Sequence, residues 1–279
     1  MEAEDVKRCW EENAEVWTQL VRAGYDVYRD AFNTPAFLDL LPDVHGLRGL
    51  DVGCGEGHNT RLLARRGAVM VAVDVAPTFI RHAETAERAD PLGITYREAG
   101  ASALPFGDAS FDFVTAFMSL MDMARLEDVL AEIHRVLQPG GFLQFSICHP
   151  CFYTPHRVNL RDESGTTYAI EVGAYFLRIN GAIDEWLCGS APEEVREGLA
   201  PFKVPRFSRP ISEWLNLLTD SGFLLERVAE PRPDDATVRD HPEVQDAQVV
   251  AYFLHVRVRK PNGEGSRRDC AGAGPEPRG

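Results

Sequence analysis

Apolar residues along this chain follow two rhythms. Between Trp10 and Leu41 they recur at helical spacing, through Val16, Trp17, Leu20, Val21, Tyr25, Tyr28, Phe32, Phe37 and Leu38. That spacing predicts two or three helices, with breaks at Gly24 and at Asn33-Thr34-Pro35. From Leu47 onward the apolar residues gather into short, nearly unbroken runs separated by amphipathic stretches. Strands are predicted at 47–52, 69–74, 94–98, 111–117 and 141–148, and helices at 58–67, 77–89 and 124–137. Strand and helix in alternation mean a parallel, doubly wound α/β sheet with right-handed crossovers. Strands buried on both faces explain why their runs are continuous rather than alternating. Pro77 at a helix start and Pro139-Gly140-Gly141 after a helix end have the expected polarity.

The rhythm breaks again after the fifth strand. Residues 150–209 are too long for an ordinary sheet connection, and they read as an insertion capping the carboxyl edge of the sheet, with a structural flap as the plainer alternative. Ser212–Leu218 then reads as an amphipathic helix ended by Gly222. Phe223–Val228 and Val249–Val258 read as the last two strands. The domain plan is therefore a helical leader (1–44), a main domain (45–260) and a Gly-, Pro-, Arg- and Glu-rich tail (261–279) expected to be disordered.

One junction carries chemistry. The run Leu47–Val52 breaks into Gly53-Cys54-Gly55-Glu56-Gly57, and a helix follows from His58-Asn59-Thr60. Strand, glycine turn and helix start bring backbone N–H groups against a ligand. The second strand ends in Asp74, at a distance suited to gripping a ribose diol. The third glycine comes one residue too early for a dinucleotide fingerprint, with His58 in its place, and no P-loop pattern occurs. Ligands in such sheets bind at the carboxyl ends of the strands. Those ends place Gly53–Gly57, Asp74, Gly100–Ser102, Phe117–Ser119 and His149 around one pocket.

Asp51-x-Gly53-x-Gly55-x-Gly57 resembles the first motif of class I S-adenosylmethionine-dependent methyltransferases. Three further matches follow in order: Asp74, then Leu104-Pro105-Phe106-x-Asp108-x-Ser110-Phe111-Asp112, then Arg135-Val136-Leu137-x-Pro139-Gly140-Gly141. Together they look like the branch that includes ubiquinone- and menaquinone-pathway enzymes and many natural-product methyltransferases. The resemblance covers 45–150 closely and 209–260 more loosely. It implies a Rossmann-like, mostly parallel seven-stranded sheet with N-terminal helices, and S-adenosyl-L-methionine as cofactor. It implies cofactor contacts from Tyr28, Asp51, Gly53, Cys54, Gly55, Asn59, Asp74, Val75, Ala101, Ser102, Phe117 and Met118. Trp17, Tyr28 and Arg29 of the leader are expected near the methionine end, and His58 on the cofactor side. Relatives usually carry an acid before the Leu-Pro-Phe turn to hold the adenine amino group; here Gly100-Ala101-Ser102 leaves only backbone groups for that contact.

Composition narrows the partners. Hydrophobic residues make up 44% and charged residues 26% of 279 positions, ordinary for a globular chain. A net charge of −14 argues against nucleic-acid binding. The acidic N-terminus lacks the apolar stretch of a signal peptide, and no apolar run is long enough for a membrane span. Cys148-x-x-Cys151 has the spacing of a metal half-site or a redox pair, yet no second pair or His pair accompanies it, so reduced thiols in a cytoplasmic protein and no metal are expected.

Methyl transfer from a sulfonium needs the nucleophile held in line with the departing sulfur. A hydroxyl, amine or acidic-carbon acceptor also needs a base. His149, at a strand end beside a proline, is the first candidate, followed by Tyr153, Glu171 and Tyr175 of the insertion. Acceptor contacts are expected from Tyr28, His156, Arg157, Arg178, Arg206 and Arg209, because guanidinium groups suit a small anionic acceptor. Interspersed acids offer solvated ion pairs as the competing account. Two alternatives stand beside methylation of a small molecule: C-methylation of a phosphorylated isoprenoid-type alkene, and a non-catalytic S-adenosylmethionine-binding protein. The acceptor and the oligomeric state are not legible.

Overall fold

The structure, a computed structural model, describes residues 1–262; the expected disorder of the tail lies, from residue 263 on, outside the described residues. The leader forms α1 (Ala3–Arg22), a π-helical turn at Arg29–Asn33 and α2 (Thr34–Leu40). The main domain then alternates β1 (Arg48–Val52), α3 (His58–Arg65), β2 (Val69–Asp74), α4 (Pro77–Ala89), β3 (Thr95–Glu98), β4 (Phe111–Phe117), α5 (Leu126–Val136) and β5 (Leu137–Cys148). The insertion contributes β6 (His156–Arg161), β7 (Thr167–Gly173), β8 (Asn180–Trp186), α6 (Glu193–Arg196) and β9 (Phe202–Phe207). The chain closes with α7 (Ile211–Asp220), β10 (Leu224–Ala229), α8 (Asp235–Asp240), a 3₁₀ segment at Pro242–Gln248 and β11 (Phe253–Arg259).

Seven strands form one sheet in the order β10-β11-β5-β4-β1-β2-β3. The pairs β1–β2, β1–β4, β2–β3 and β4–β5 are parallel, whereas β11 runs antiparallel to both β5 and β10. The order reverses at β1, so the crevice between the ends of β1 and β4 is the topological switch point. One face packs Leu50, Val114, Phe145, Leu130 and Trp214 into the larger core; the other packs Phe37, Leu63, Met70 and Phe113. Burial of both faces is what the continuous apolar runs required.

The insertion is two antiparallel strand pairs, β6–β7 and β8–β9. Their half-exposed strands alternate too weakly to have shown in the sequence. The leader clasps the second pair. The Asn13 amide donates to the Lys203 carbonyl at 3.0 Å and accepts the Lys203 N–H at 3.0 Å. Trp17 lies with its ring centroid 4.8 Å from Phe202 and 5.3 Å from Trp186. Glu11 accepts from the Thr78 N–H and hydroxyl, at 3.0 and 2.7 Å, and so caps α4 from outside its own helix.

Two strand boundaries lie four residues from where the sequence placed them. β5 begins at Leu137, which already pairs with Phe111, and the register slips before Phe113 pairs with Phe142. β11 begins at Phe253 rather than Val249, because the preceding residues are bound into a local hub. Asp246 accepts the hydroxyls of Tyr28 and Tyr252, each at 2.5 Å, and the Asn159 amide at 2.8 Å. Leader, insertion and C-terminal segment meet on that one carboxylate.

Candidate active site

Above the switch point lies a cavity of about 800 Å³, walled by the leader, the sheet's carboxyl edge and the insertion. Its floor is the glycine turn. Gly53, Gly55 and Gly57 all take positive φ, at 73°, 55° and 89°. At Gly53 a Cβ would come within 2.5 Å of the Ser119 Cβ, so conformation and space both demand glycine. The Ser119 hydroxyl in turn donates to the Val52 carbonyl at 2.7 Å, tying the ends of β1 and β4 together.

Beneath the turn, Asp51 accepts the hydroxyls of Thr60 at 2.5 Å and Thr115 at 2.9 Å. Burial pushes its carboxyl up to about 6, against the pull of those two donors. Asp74 stands at the tip of β2, only 8% exposed. Its carboxylate accepts the Gly55 N–H at 2.8 Å and the Ala76 N–H at 2.9 Å. Burial raises this carboxyl to about 6 as well, and the backbone donors oppose the rise. Each Asp74 oxygen retains acceptor capacity after its backbone bond. A ribose diol fits that capacity, and the open turn beside it, with no atom within 4 Å of a Cβ at Gly55, leaves room for the rest of an adenosyl group.

All twelve residues expected to hold the cofactor line this cavity, and Trp17, Arg29 and His58 line it with them. Tyr28 presents its ring, while its hydroxyl donates to Asp246. Arg29 and Arg22 both reach Glu56, at 3.5 and 3.3 Å, and so lock the leader onto the glycine turn.

The residues expected to act on the acceptor divide. Tyr153, Tyr175, Arg157, Arg206 and Arg209 line the cavity. His149 is not among the lining residues, although its neighbours Cys148 and Pro150 are. Its Nδ1 accepts the Cys151 N–H at 3.2 Å and its Nε2–H donates to Glu230 at 2.8 Å. Burial lowers its pKa, with Glu230 opposing. The ring is a tether between β5 and the segment after β10, with no free nitrogen for a substrate. Glu171 and His156 pair with each other at 2.7 Å on the exposed β6–β7 pair, outside the cavity. Arg178 pairs with Glu213, also outside it. Among the described residues no group of three or more His, Cys, Asp or Glu is placed to hold a metal.

Four acids in the cavity were not anticipated: Asp26, Asp122, Asp184 and Glu185. Asp122 sits in the 3₁₀ turn Leu120–Asp122 after β4, and Asp184 comes from β8. For Asp122 the sign in the sequence was an acid inside the apolar, methionine-rich stretch Phe117–Met123.

Comparison with known proteins agrees with this geometry. Residues 50–145 match the family described as "Methyltransferase domain". The S-adenosylmethionine-dependent methyltransferase from Mesorhizobium loti superposes with a TM-score of 0.65 at 28% identity, over 81% of this chain and 96% of that one. Residues 50–145 are thus similar in sequence to a methyltransferase domain, and most of the chain shares the fold of an S-adenosylmethionine-dependent methyltransferase. The demethylmenaquinone methyltransferase of Thermus thermophilus is 38% identical over 108 residues, which are 38% of this chain and 49% of that protein. An uncharacterized methyltransferase of Synechocystis is 35% identical over 106 residues, 37% of this chain and 48% of that protein. The chain thus spans about half the length of these curated relatives. The leader and the insertion lie outside the residues matched by the family, 50–145.

Proposed function

We propose that the protein transfers a methyl group from S-adenosylmethionine to a small-molecule acceptor. The observation that carries this reading is the Asp74 carboxylate, fixed by the Gly55 and Ala76 N–H groups at the wall of a cavity floored by the glycine turn. Asp74 would hold the ribose, backbone groups of Gly53–Gly55 the methionine moiety, and Ala101 and Ser102 the adenine edge. Bound there, the cofactor supplies an electrophilic methyl on a sulfonium. The domain's task is then to exclude water and to aim the acceptor. A cytoplasmic location fits the free thiols of Cys9, Cys54, Cys148, Cys151 and Cys188.

Support for an anionic acceptor narrows to fewer arginines. Arg206 is spent on Asp184 at 3.2 Å, and Arg178 and Arg209 share Glu213. Among the described residues Arg157 has no carboxylate partner; its guanidinium lies 4.3 Å from the Tyr252 ring centroid with one Nη unbonded, and Arg209, 3.8 Å from Glu213, also keeps one Nη unbonded. A phosphorylated isoprenoid acceptor, which needs several free guanidinium groups, draws correspondingly less support. Calorimetry with S-adenosylhomocysteine and a screen of pooled metabolites with labelled S-adenosylmethionine test the reading. Binding without any labelled product across the pools would favour a non-catalytic cofactor-binding protein, and failure to bind would end the proposal.

A further inference from the structure

One carboxyl group that lines the cavity, that of Asp122, has no hydrogen-bond partner among the described residues. Asp122 is 7% exposed, and no described cation pairs with it within 4 Å. Buried carboxyls are ordinarily satisfied, and one left bare at a cavity wall needs a reason. Its neighbour Asp184 shows the contrast. Asp184 takes Arg206 at 3.2 Å and the Tyr153 hydroxyl at 3.3 Å, and Arg206 also donates to the Tyr153 carbonyl at 3.2 Å. The turn that carries Asp122 packs against β9, next to the strand that carries Asp184.

We propose that Asp122 receives the acceptor's proton, so that the acceptor reacts through an N–H or O–H group directed at this carboxylate. The inference rests on the methyl-transfer reading and names the chemistry of its second substrate. Asp122 comes shortly after Phe117, the last residue of β4, and lines the same cavity as Phe117 and Met118, two of the residues expected to hold the cofactor. In the reaction the acceptor heteroatom forms its bond to the methyl carbon, and the C–S bond breaks with its pair going to sulfur. The X–H pair stays on the heteroatom while the proton passes to Asp122. A sulfonium and a carboxylate thus become a neutral thioether and a neutral carboxylic acid, and the charges balance.

The charged and titratable groups in this part of the cavity are Asp184, Arg206, Arg157, Cys148 and Tyr153. Burial first, and the Asp184 charge second, hold the Asp122 carboxyl well above the usual carboxylate range. A carboxylate with a raised pKa is a stronger base than an ordinary one. Carbon acceptors are disfavoured, because a C–H is too weak a donor to satisfy a buried carboxylate.

The test uses phenol and anisole, which differ in one O–H, on the protein loaded with S-adenosylhomocysteine. At a pH that ionises Asp122 but not phenol, wild type should bind phenol about tenfold or more tightly than anisole, the worth of a hydrogen bond to a charged acceptor. Asp122→Leu should erase that preference while cofactor binding stays intact. A phenol preference that survives Asp122→Leu overturns the proposal. Loss of cofactor binding in the wild type would instead strike the methyl-transfer reading. A second measurement needs no acceptor. Ionised Asp122 is the disfavoured form in the folded protein, so wild type should lose thermal stability relative to Asp122→Asn as pH rises from about 4 to 8. A stability difference that stays flat over that range sinks the proposal even where neither probe binds.

Discussion

The Gly55 N–H donates to the Asp74 carboxylate at 2.8 Å, across nineteen positions of sequence. The bond joins the glycine turn to the tip of the neighbouring strand. A second donor, the Ala76 N–H at 2.9 Å, holds the other oxygen. Asp74 is thereby oriented before any ligand arrives, which lowers the ordering cost of binding.

That orientation has a pH signature. A diol donates its hydroxyls to ionised Asp74, whose carboxyl burial raises to about 6. Below that value the protonated group must first release a proton. Affinity for S-adenosylhomocysteine should therefore weaken about tenfold between pH 7 and pH 5. Asp74→Asn should bind about a hundredfold more weakly at pH 7 and lose the pH dependence. Calorimetry at the two pH values checks both, and a wild-type affinity that does not change with pH would remove the diol contact from Asp74.

Asp51 supports the same turn from below, and its contribution to stability runs with pH in a definite sense. Its folded carboxyl, near 6, lies above the unfolded value. Stability attached to this group is thus fully present below about pH 3.9 and is lost as pH rises through 6. Thr115→Val removes one of the two hydroxyls that soften this penalty. The variant should be destabilised by about 1–3 kcal/mol at pH 7.5, and by less at pH 4.5, where Asp51 is neutral. Urea titrations at both pH values measure it, and an equal loss at both would deny that the hydroxyl serves the carboxylate.

The sheet was legible because burying strands on both faces forces unbroken apolar runs, and the glycine turn because Gly53 has neither the dihedral nor the space for a side chain. His149 shows where the sequence is silent. Position at a strand end says nothing about which way a ring turns, and Cys151 and Glu230 turn this one away from the cavity. The strands of the insertion were illegible for a related reason: Tyr168 and Val172 of β7 stay exposed, so no buried face imposed an alternation. Asp122 needed three dimensions, since only the fold reveals that no described residue pairs with it.

The clasp between leader and insertion should govern access. Asn13→Ala strips partners from both the N–H and the carbonyl of Lys203. Hydrogen exchange across residues 180–207 should then accelerate, while exchange in β1 and β4 stays as in wild type. Loading with S-adenosylhomocysteine should restore part of the protection, because the leader also reaches the glycine turn through Arg22 and Arg29 on Glu56. Unaltered exchange in that segment would show that the β8–β9 pair holds its place without the leader.

Arg157 and Arg178 make opposite predictions although both are insertion arginines. Arg157 lines the cavity over Tyr252 with an unbonded Nη, whereas Arg178 is spent on Glu213 outside it. An acceptor that carries a carboxylate or phosphate would gain a charge-assisted contact from Arg157, whose only rival in the cavity with a buried, unbonded Nη among the described residues is Arg209, and none from Arg178. Arg157→Ala should then raise the KM for that acceptor about tenfold or more, with affinity for S-adenosylhomocysteine unchanged. Arg178→Ala should alter neither quantity. Arg157→Lys separates charge from shape: it keeps the cation but not the planar fork, so a bidentate contact would be rescued only in part. A KM that is insensitive to Arg157→Ala would leave the guanidinium as a brace on Tyr252, and the acceptor would be uncharged at that end of the cavity.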